Sequence, residues 1–247
     1  MGQVDSEAIV LRTYDLAEAD RIVVCLTRET GVVRAVARGA RRLKSRFGGA
    51  LEPFTQINLS YYEKEGRELV ALRHLEIVRS YFKLYGSLEM LSALSYMSEL
   101  VLAFAPPHEP NEKMYRMVGA CLSAIEQEPA ELASALRYFE GWMLKLTGFF
   151  QLMKSCARCG TAFREGAQMW LDTELRQLCE GCGKGRGTHV SAEVRVQLLR
   201  MQRQPPQEFV RGLCVQQPGT QQELAQLLRR VIRYVLEREP GTSHILN

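Results

Sequence analysis

Two cysteine pairs constrain this chain more than any other feature. Cys156 and Cys159 form one CxxC, and Cys179 and Cys182 form a second, with nineteen residues between the pairs. The spacing is that of a four-thiolate zinc site, because two intervening residues let one tight turn aim both sulfurs at one metal. Zn²⁺ in a structural site takes four tetrahedral ligands, and soft thiolates suit it. Gly160 and Gly183, which follow the two pairs, are expected to relieve the turns. Between the pairs, Phe163, Met169, Trp170 and Leu171 are expected to form a small apolar cluster on short strands.

Other uses of these cysteines fit less well. A disulfide framework suits a secreted chain, but no signal peptide is visible and seven cysteines is an odd number. A redox dithiol needs one CxxC beside a βαβ unit, whereas here two pairs stand among helices. A zinc deaminase pairs HxE with PCxxC. His74-Leu75-Glu76 supplies the first half, but its surroundings read as a strand, and Ser155 rather than proline precedes Cys156. The second CxxC also completes the coordination sphere and leaves no place for a catalytic water. The expectation is a closed structural Zn²⁺ site on Cys156, Cys159, Cys179 and Cys182, within residues 155–186. Such a site says how a segment is held, not what the protein does.

The first 80 residues read as strands. Glu7 to Tyr14, Arg21 to Thr27, Val32 to Ala37, Phe54 to Tyr62 and Leu69 to Tyr81 are β-branched or alternating runs. Glu29-Thr30-Gly31 and Glu63 to Arg67, with Gly66, are turn signals. Five strands with short turns predict a small closed barrel, since closure removes unpaired edges. The OB-fold is the five-stranded barrel expected.

After Tyr81 the period changes to that of helices. Leu84, Leu88, Leu91, Leu94 and Met97 open one stripe, which continues through Phe104 and stops at Pro106-Pro107. Asn111 is the expected cap of a second helix, with Met114, Met117, Val118, Cys121, Leu122 and Ile125 on its apolar face. Pro129 opens a third, with Leu132, Leu136, Phe139, Met143 and Leu146. Beyond the cysteines, Ser191 to Gln202 is a further helix. Pro205-Pro206 and Gln216 to Gly219 mark loops, and Thr220 to Glu223 has capping-box spacing before a last helix. The expected architecture is therefore α+β. A five-stranded OB-fold barrel spans residues 1–80, and an α-helical domain with an inserted four-cysteine zinc knuckle spans 81–247.

No run approaches eighteen apolar residues, so no transmembrane helix is expected. Without a targeting segment and with a thiolate metal site, a reducing cytoplasm is the expected location. No phosphate loop, nucleophile elbow or HExxH is present, and the four histidines form no metal pattern, so no catalytic residues are assigned. Cys25 and Cys121 fall on apolar faces and are expected to be buried thiols, while Cys214 has no reading.

The informative patch is Arg34 to Arg46. It holds Arg34, Arg38, Arg41, Arg42, Lys44 and Arg46 with no acid among them, although the whole chain carries only +4. It runs off a strand into the following loop, where an OB barrel receives a nucleic-acid strand. Tyr14, Phe47, Phe54, Tyr61 and Tyr62 are candidates for stacking bases. Lys184, Arg186, Arg195, Arg200 and Arg203 are candidates for a second basic surface.

The run TRETGVVRAVARGARRLKSRFGGALEPFT, Thr27 to Thr55, resembles the RecO family of bacterial recombination mediators. Its GARR…KS stretch and LxPF lead-in match that family's N-terminal domain. The resemblance extends over the chain, through the barrel-then-helices order and the CxxC…CxxC of the metal-bearing branch. It implies a non-enzymatic DNA repair protein that binds single- and double-stranded DNA and anneals complementary strands. It also implies association with RecR and with the single-stranded DNA-binding protein, and help in loading RecA, with no membrane partner. DNA contact is carried over to the basic stretch as a group. The alternatives are an RNA-binding or ribosome-associated OB/zinc-ribbon module and an enzyme that uses the zinc. Barrel, basic loop and knuckle alone do not separate the first of these from a DNA mediator.

Overall fold

The computed structural model describes residues 2–63, 68–164, 166–213 and 218–241. The chain divides into two compact units, residues 1–122 with 241–247, and residues 123–240.

The first unit begins with five strands. They are β1 (Gly2–Asp15), β2 (Arg21–Thr27), β3 (Gly31–Ala37), β4 (Gln56–Glu63) and β5 (Leu69–Arg79). They close into a barrel in the order β1-β2-β3-β5-β4, the expected OB-like arrangement. β1 makes closure possible by serving two neighbours. Its first half, Gly2 to Ile9, pairs with β4, and Ala8 to Asp15 pairs with β2. The register shifts between Val10 and Arg12, which bends the strand from one partner to the next. β3 and β5 form the parallel seam, Arg34 opposite Leu69 through Val36 opposite Ala71.

Alternation fills the barrel as the sequence pattern requires. Val10, Cys25, Val33, Ala35, Leu59, Tyr61 and Val70 are buried inside, joined by Phe47, Ala50 and Leu51 from the β3–β4 connection. Burial pushes the Cys25 thiol up to about 12, so it behaves as a small apolar side chain. β1 starts at Gly2, ahead of the expected Glu7, and β5 stops at Arg79, short of Tyr81. Residues 64–67 of the expected Glu63–Arg67 turn lie outside the described residues.

Two helices complete this part of the chain. α1 (Leu88–Phe104) is capped by Ser87, whose Oγ accepts the Met90 N–H at 3.1 Å. The expected stripe holds from Leu94 to Phe104 and fails at its start. Leu84 belongs to a separate 3₁₀ turn, Phe82–Gly86, while Leu88 and Leu91 are 75% and 41% exposed. From Leu94 on, the buried face runs through Met97, Leu100, Val101 and Phe104 as expected, joined by Met90 and Ala93. A step of three residues falls about 60° short of a full turn, so the run of such steps carries Leu88 and Leu91 off the inner face. Asn111 caps α2 (Glu112–Gln127) as expected, its Oδ1 accepting the Met114 N–H at 3.0 Å. Arg28, in the β2–β3 turn, donates to Glu112 at 2.7 Å and to Glu7 at 3.2 Å, tying the barrel to the first turn of α2.

In the second unit α3 (Leu132–Leu146) packs against α5 (Ala192–Arg203), α6 (Pro206–Leu213) and α7 (Pro218–Leu236). Two expectations fail here. Pro206 does not mark a loop but opens α6, in the first-turn position where proline's missing N–H costs nothing. α7 begins at Pro218, so Pro218 and Gly219 are helical and Thr220 is not its cap. Cys214, residues 216 and 217 of the expected loop, and His244 lie outside the described residues. The core of this unit holds an ion pair that the pattern does not reveal. Arg137 Nε and Nη2 meet the Glu140 carboxylate at 2.9 and 3.0 Å, with Glu140 fully buried.

Candidate metal centre and nucleic-acid interface

The cysteine segment forms a three-stranded sheet, β7 (Gln177–Leu178), β6 (Met169–Leu171) and β8 (Thr188–Val190), with the single turn α4 (Glu180–Gly183). Each CxxC lies in a tight turn. Gly160 N–H donates to Cys156 O at 3.0 Å, and Gly183 N–H donates to Cys179 O at 2.8 Å. Gly160 has φ +72°, the left-handed geometry expected of it. Gly183 serves differently. A Cβ there would lie 2.3 Å from Cβ of Trp170, so the glycine is needed for close packing and not for turn strain. Trp170 packs with Cys156 and Leu178, and Phe163 leans on the same cluster.

These turns bring the four predicted sulfurs together. All four Sγ atoms lie within 4.8 Å of one another, and those of Cys159 and Cys179 are 3.6 Å apart. Four sulfurs placed about 2.3 Å from a tetrahedral zinc are separated by about 3.8 Å, so the set fits such an ion. The group could hold a metal, and it consists of cysteines alone. His74 and Glu76 of the deaminase-like triplet lie on β5 and take no part in it. The thiols of the cluster differ in acidity. Burial opposes a thiolate at Cys156, but N–H groups of Cys179, Cys159 and Arg158 outweigh it and hold the thiol down, at about 6. Cys182 is pushed up to about 12, first by its hydrogen bond with Cys159 and then by burial.

Two residues that position this centre were not singled out from sequence. Gln177 is buried, its Nε2 donates to Gln151 O at 2.6 Å, and its backbone O accepts the Ala157 N–H at 2.9 Å beside the first CxxC. Asp172 turns the hairpin by accepting the N–H groups of Glu174 and Arg176 at 3.0 and 2.9 Å. The Asp-Thr-Glu run is a legible turn signal for the second. A lone glutamine offers none.

The six cations of the basic stretch begin on β3 and run into the connection after it. Arg34, Arg38, Arg41, Arg42, Lys44 and Arg46 are all exposed. Arg41 is partly committed within the fold, since it donates to Ala17 O at 3.0 Å and lies 3.5 Å from Asp15. Arg46 stacks its guanidinium 4.8 Å from the Phe47 ring. Elsewhere on the barrel the sign reverses. Asp5, Glu7, Glu29 and Glu76 line a groove with Asn58 and His74, a surface that repels phosphate.

The aromatic candidates divide. Phe47, Phe54 and Tyr61 are core, at 3%, 1% and 1% exposure, and cannot stack a base. Tyr14 and Tyr62 are exposed, with Arg73 lying 4.9 Å over the Tyr62 ring. Of the second basic group, Arg195 is buried, donates to Arg164 O at 2.9 Å and stacks on Phe163. Arg200 is half-buried, donating to Gln197 at 3.2 Å and to Gly212 O at 3.4 Å. Both hold the unit together and are not free surface cations.

Comparison with known proteins places the chain. The family described as recombination protein O N terminal matches residues 1–81, and recombination protein O C terminal matches residues 85–244. This chain belongs to the RecO family. It is 37% identical to the DNA repair protein RecO of Anaeromyxobacter sp. (strain K) over 82% of this chain and 80% of that one. It is 32% identical to the DNA repair protein RecO of Koribacter versatilis, over 94% of this chain and 92% of that one. The Geobacter sulfurreducens protein of the same name is 36% identical over 81% and 80%. The RecO family resemblance drawn from Thr27 to Thr55 therefore holds over both halves of the chain. Among the described residues no helix is long and apolar enough to cross a membrane.

Proposed function

We propose that this protein is a non-enzymatic recombination mediator of DNA repair, acting in the cytoplasm at the nucleoid. The observation that carries the reading is the run of exposed cations from Arg34 to Arg46, set on an OB-like barrel in a chain of the RecO family. Residues 1–80 are the DNA-binding domain. Residues 81–247 are the helical domain, with the 155–186 segment held by a structural Zn²⁺ on Cys156, Cys159, Cys179 and Cys182. A bound zinc would fix the two turns to each other and supply folding free energy, with no reaction step of its own.

Electrostatics gives the mechanism. Two DNA strands repel, and a protein that neutralises phosphates on both lowers the cost of bringing them together. Arg34, Arg38, Arg42, Lys44 and Arg46 make no ion pair among the described residues, which leaves five cations for phosphate. Five contacts imply a slope of about −4.5 in log affinity against log salt, a loss of roughly 500-fold between 50 and 200 mM. The proposed partners are single- and double-stranded DNA, RecR, the single-stranded DNA-binding protein and, indirectly, RecA. The acidic groove on the β1–β4–β5 side directs nucleic acid toward the basic side of the barrel.

The deciding experiment is annealing of complementary oligonucleotides, each precoated with single-stranded DNA-binding protein. Restored annealing without ATP supports the mediator reading, because a coat blocks spontaneous pairing. Binding to naked strands with coated strands left unpaired reduces the protein to a general nucleic-acid binder. Equal binding of RNA would then favour an RNA-associated module.

A further inference from the structure

The basic loop carries an apolar side chain at its tip. Leu43 is fully exposed, at 107% of its reference area, and stands between Arg41, Arg42, Lys44 and Arg46. It occupies a corner of the turn Arg42–Ser45, closed by the Ser45 N–H donating to Arg42 O at 2.9 Å. Turn corners favour glycine, proline, asparagine, aspartate or serine, so folding does not ask for leucine there. Nor is the loop loosely hung. Before the turn, Gly39 N–H donates to Asp20 at 2.8 Å and Arg41 N–H donates to Ala19 O at 3.0 Å. After it, Phe47, Ala50 and Leu51 are buried in the barrel core. The fold thus holds the tip from both sides and presents a side chain that it does not use.

We propose that Leu43 is a wedge that enters between two adjacent stacked bases while the flanking cations hold the phosphates on either side. The inference rests on the DNA-binding reading of the same loop and adds how the loop engages DNA. An unstacked base step offers an apolar slot bordered by two anionic backbones, and a leucine among cations is its chemical complement. A side chain without hydrogen-bonding groups enters such a slot whatever the sequence. Anionic lipid also attracts an apolar tip ringed by cations, but membrane binding scales with buried apolar area. Here the next aromatic, Phe47, is turned into the core, and one leucine remains.

The test uses the full-length protein and oligonucleotides with 2-aminopurine, whose fluorescence rises on unstacking, in duplex and in single-stranded form. The expected result is a several-fold rise with the unmodified protein in at least one form. Leu43→Ser should abolish it and Leu43→Met should restore it, while the salt slope stays unchanged in both variants. The Leu43 side chain is wholly in solvent, so neither substitution threatens folding. Arg42→Ala with Lys44→Ala serves as the control for phosphate contact and should flatten the salt slope by about 2. If that control leaves affinity and slope unchanged, the DNA reading of the loop fails and the wedge with it. If the control behaves as expected but Leu43→Ser still unstacks the probe, or no form is unstacked, the wedge alone is wrong. Cosedimentation with phosphatidylserine vesicles that Leu43→Ser removes would reassign the tip to a membrane.

Discussion

The carboxylate of Glu223 accepts both hydrogens that Ser191 has to give. Ser191 N–H reaches Oε1 at 2.8 Å and Ser191 Oγ–H reaches Oε2 at 2.6 Å, while Ser191 Oγ accepts the Val194 N–H at 3.2 Å. A capping box places its acid three residues after the cap on the same helix. That position in α5 is Val194, and the acid comes instead from α7. Glu223→Ala and Ser191→Ala should each destabilise the protein by about 1–2 kcal/mol in urea unfolding. The double variant should lose clearly less than the sum. Strict additivity would mean that the two residues act independently.

The Arg137–Glu140 pair makes an asymmetric prediction. Both side chains are almost wholly out of water, so removing Glu140 leaves the Arg137 charge buried without the carboxylate that it meets. Glu140→Leu alone should cost about 3–5 kcal/mol. Arg137→Met together with Glu140→Leu should recover most of that loss, because the desolvation of two ions disappears with them. Denaturant midpoints of the three variants decide it, and a double variant as weak as the single one would show that the pair itself is required.

Metal removal tests the cysteine centre. The isolated protein should carry one zinc per chain by elemental analysis, and cobalt substitution should give a tetrathiolate spectrum. Stripping the metal, or Cys156→Ser, should lower the melting temperature and expose Trp170 to a fluorescence quencher, since that ring packs on Cys156. A stripped protein that melts unchanged would leave the four thiols without a structural metal.

The bridge at Arg28 predicts a pH effect. The hydrogen bond from Arg28, and then its charge, hold the Glu112 carboxyl below its ordinary value of 4.5. A carboxylate whose folded pKa is depressed contributes stability that is present above 4.5 and is lost as pH falls through the folded value. A carboxyl NMR titration should place the Glu112 midpoint below 4.5 in the unmodified protein and raise it in Arg28→Ala. The stability gap between the two proteins should be full near neutral pH and should close on acidification, and high salt should shrink it throughout. An unmoved midpoint in Arg28→Ala would remove the bridge as the cause.

Much of this structure was legible because its signals are periodic or spaced. The alternation of Ile57, Leu59 and Tyr61 announced β4, and the CxxC pairs announced a centre whose sulfurs do converge. What was not legible depended on partners distant in sequence. Glu223 looks like a cap of its own helix because sequence cannot show that Ser191 lies beside it. Phe47, Phe54 and Tyr61 resemble stacking platforms only until the barrel closes around or beside them. Arg195 reads as a surface cation because snorkelling inward onto Phe163 leaves no mark in local composition.

The parallel seam of the barrel has a temporal consequence. β3 joins β5 through Arg34–Leu69, Ala35–Val70 and Val36–Ala71, a shorter ladder than those between sequential strands. Its partner emerges from the ribosome only after β4 and the whole basic loop. Until then the edge of β3 that takes β5 has no partner strand. The last strand made is the one that seals the interior, so nascent chains that end before β5 hold an unfinished barrel.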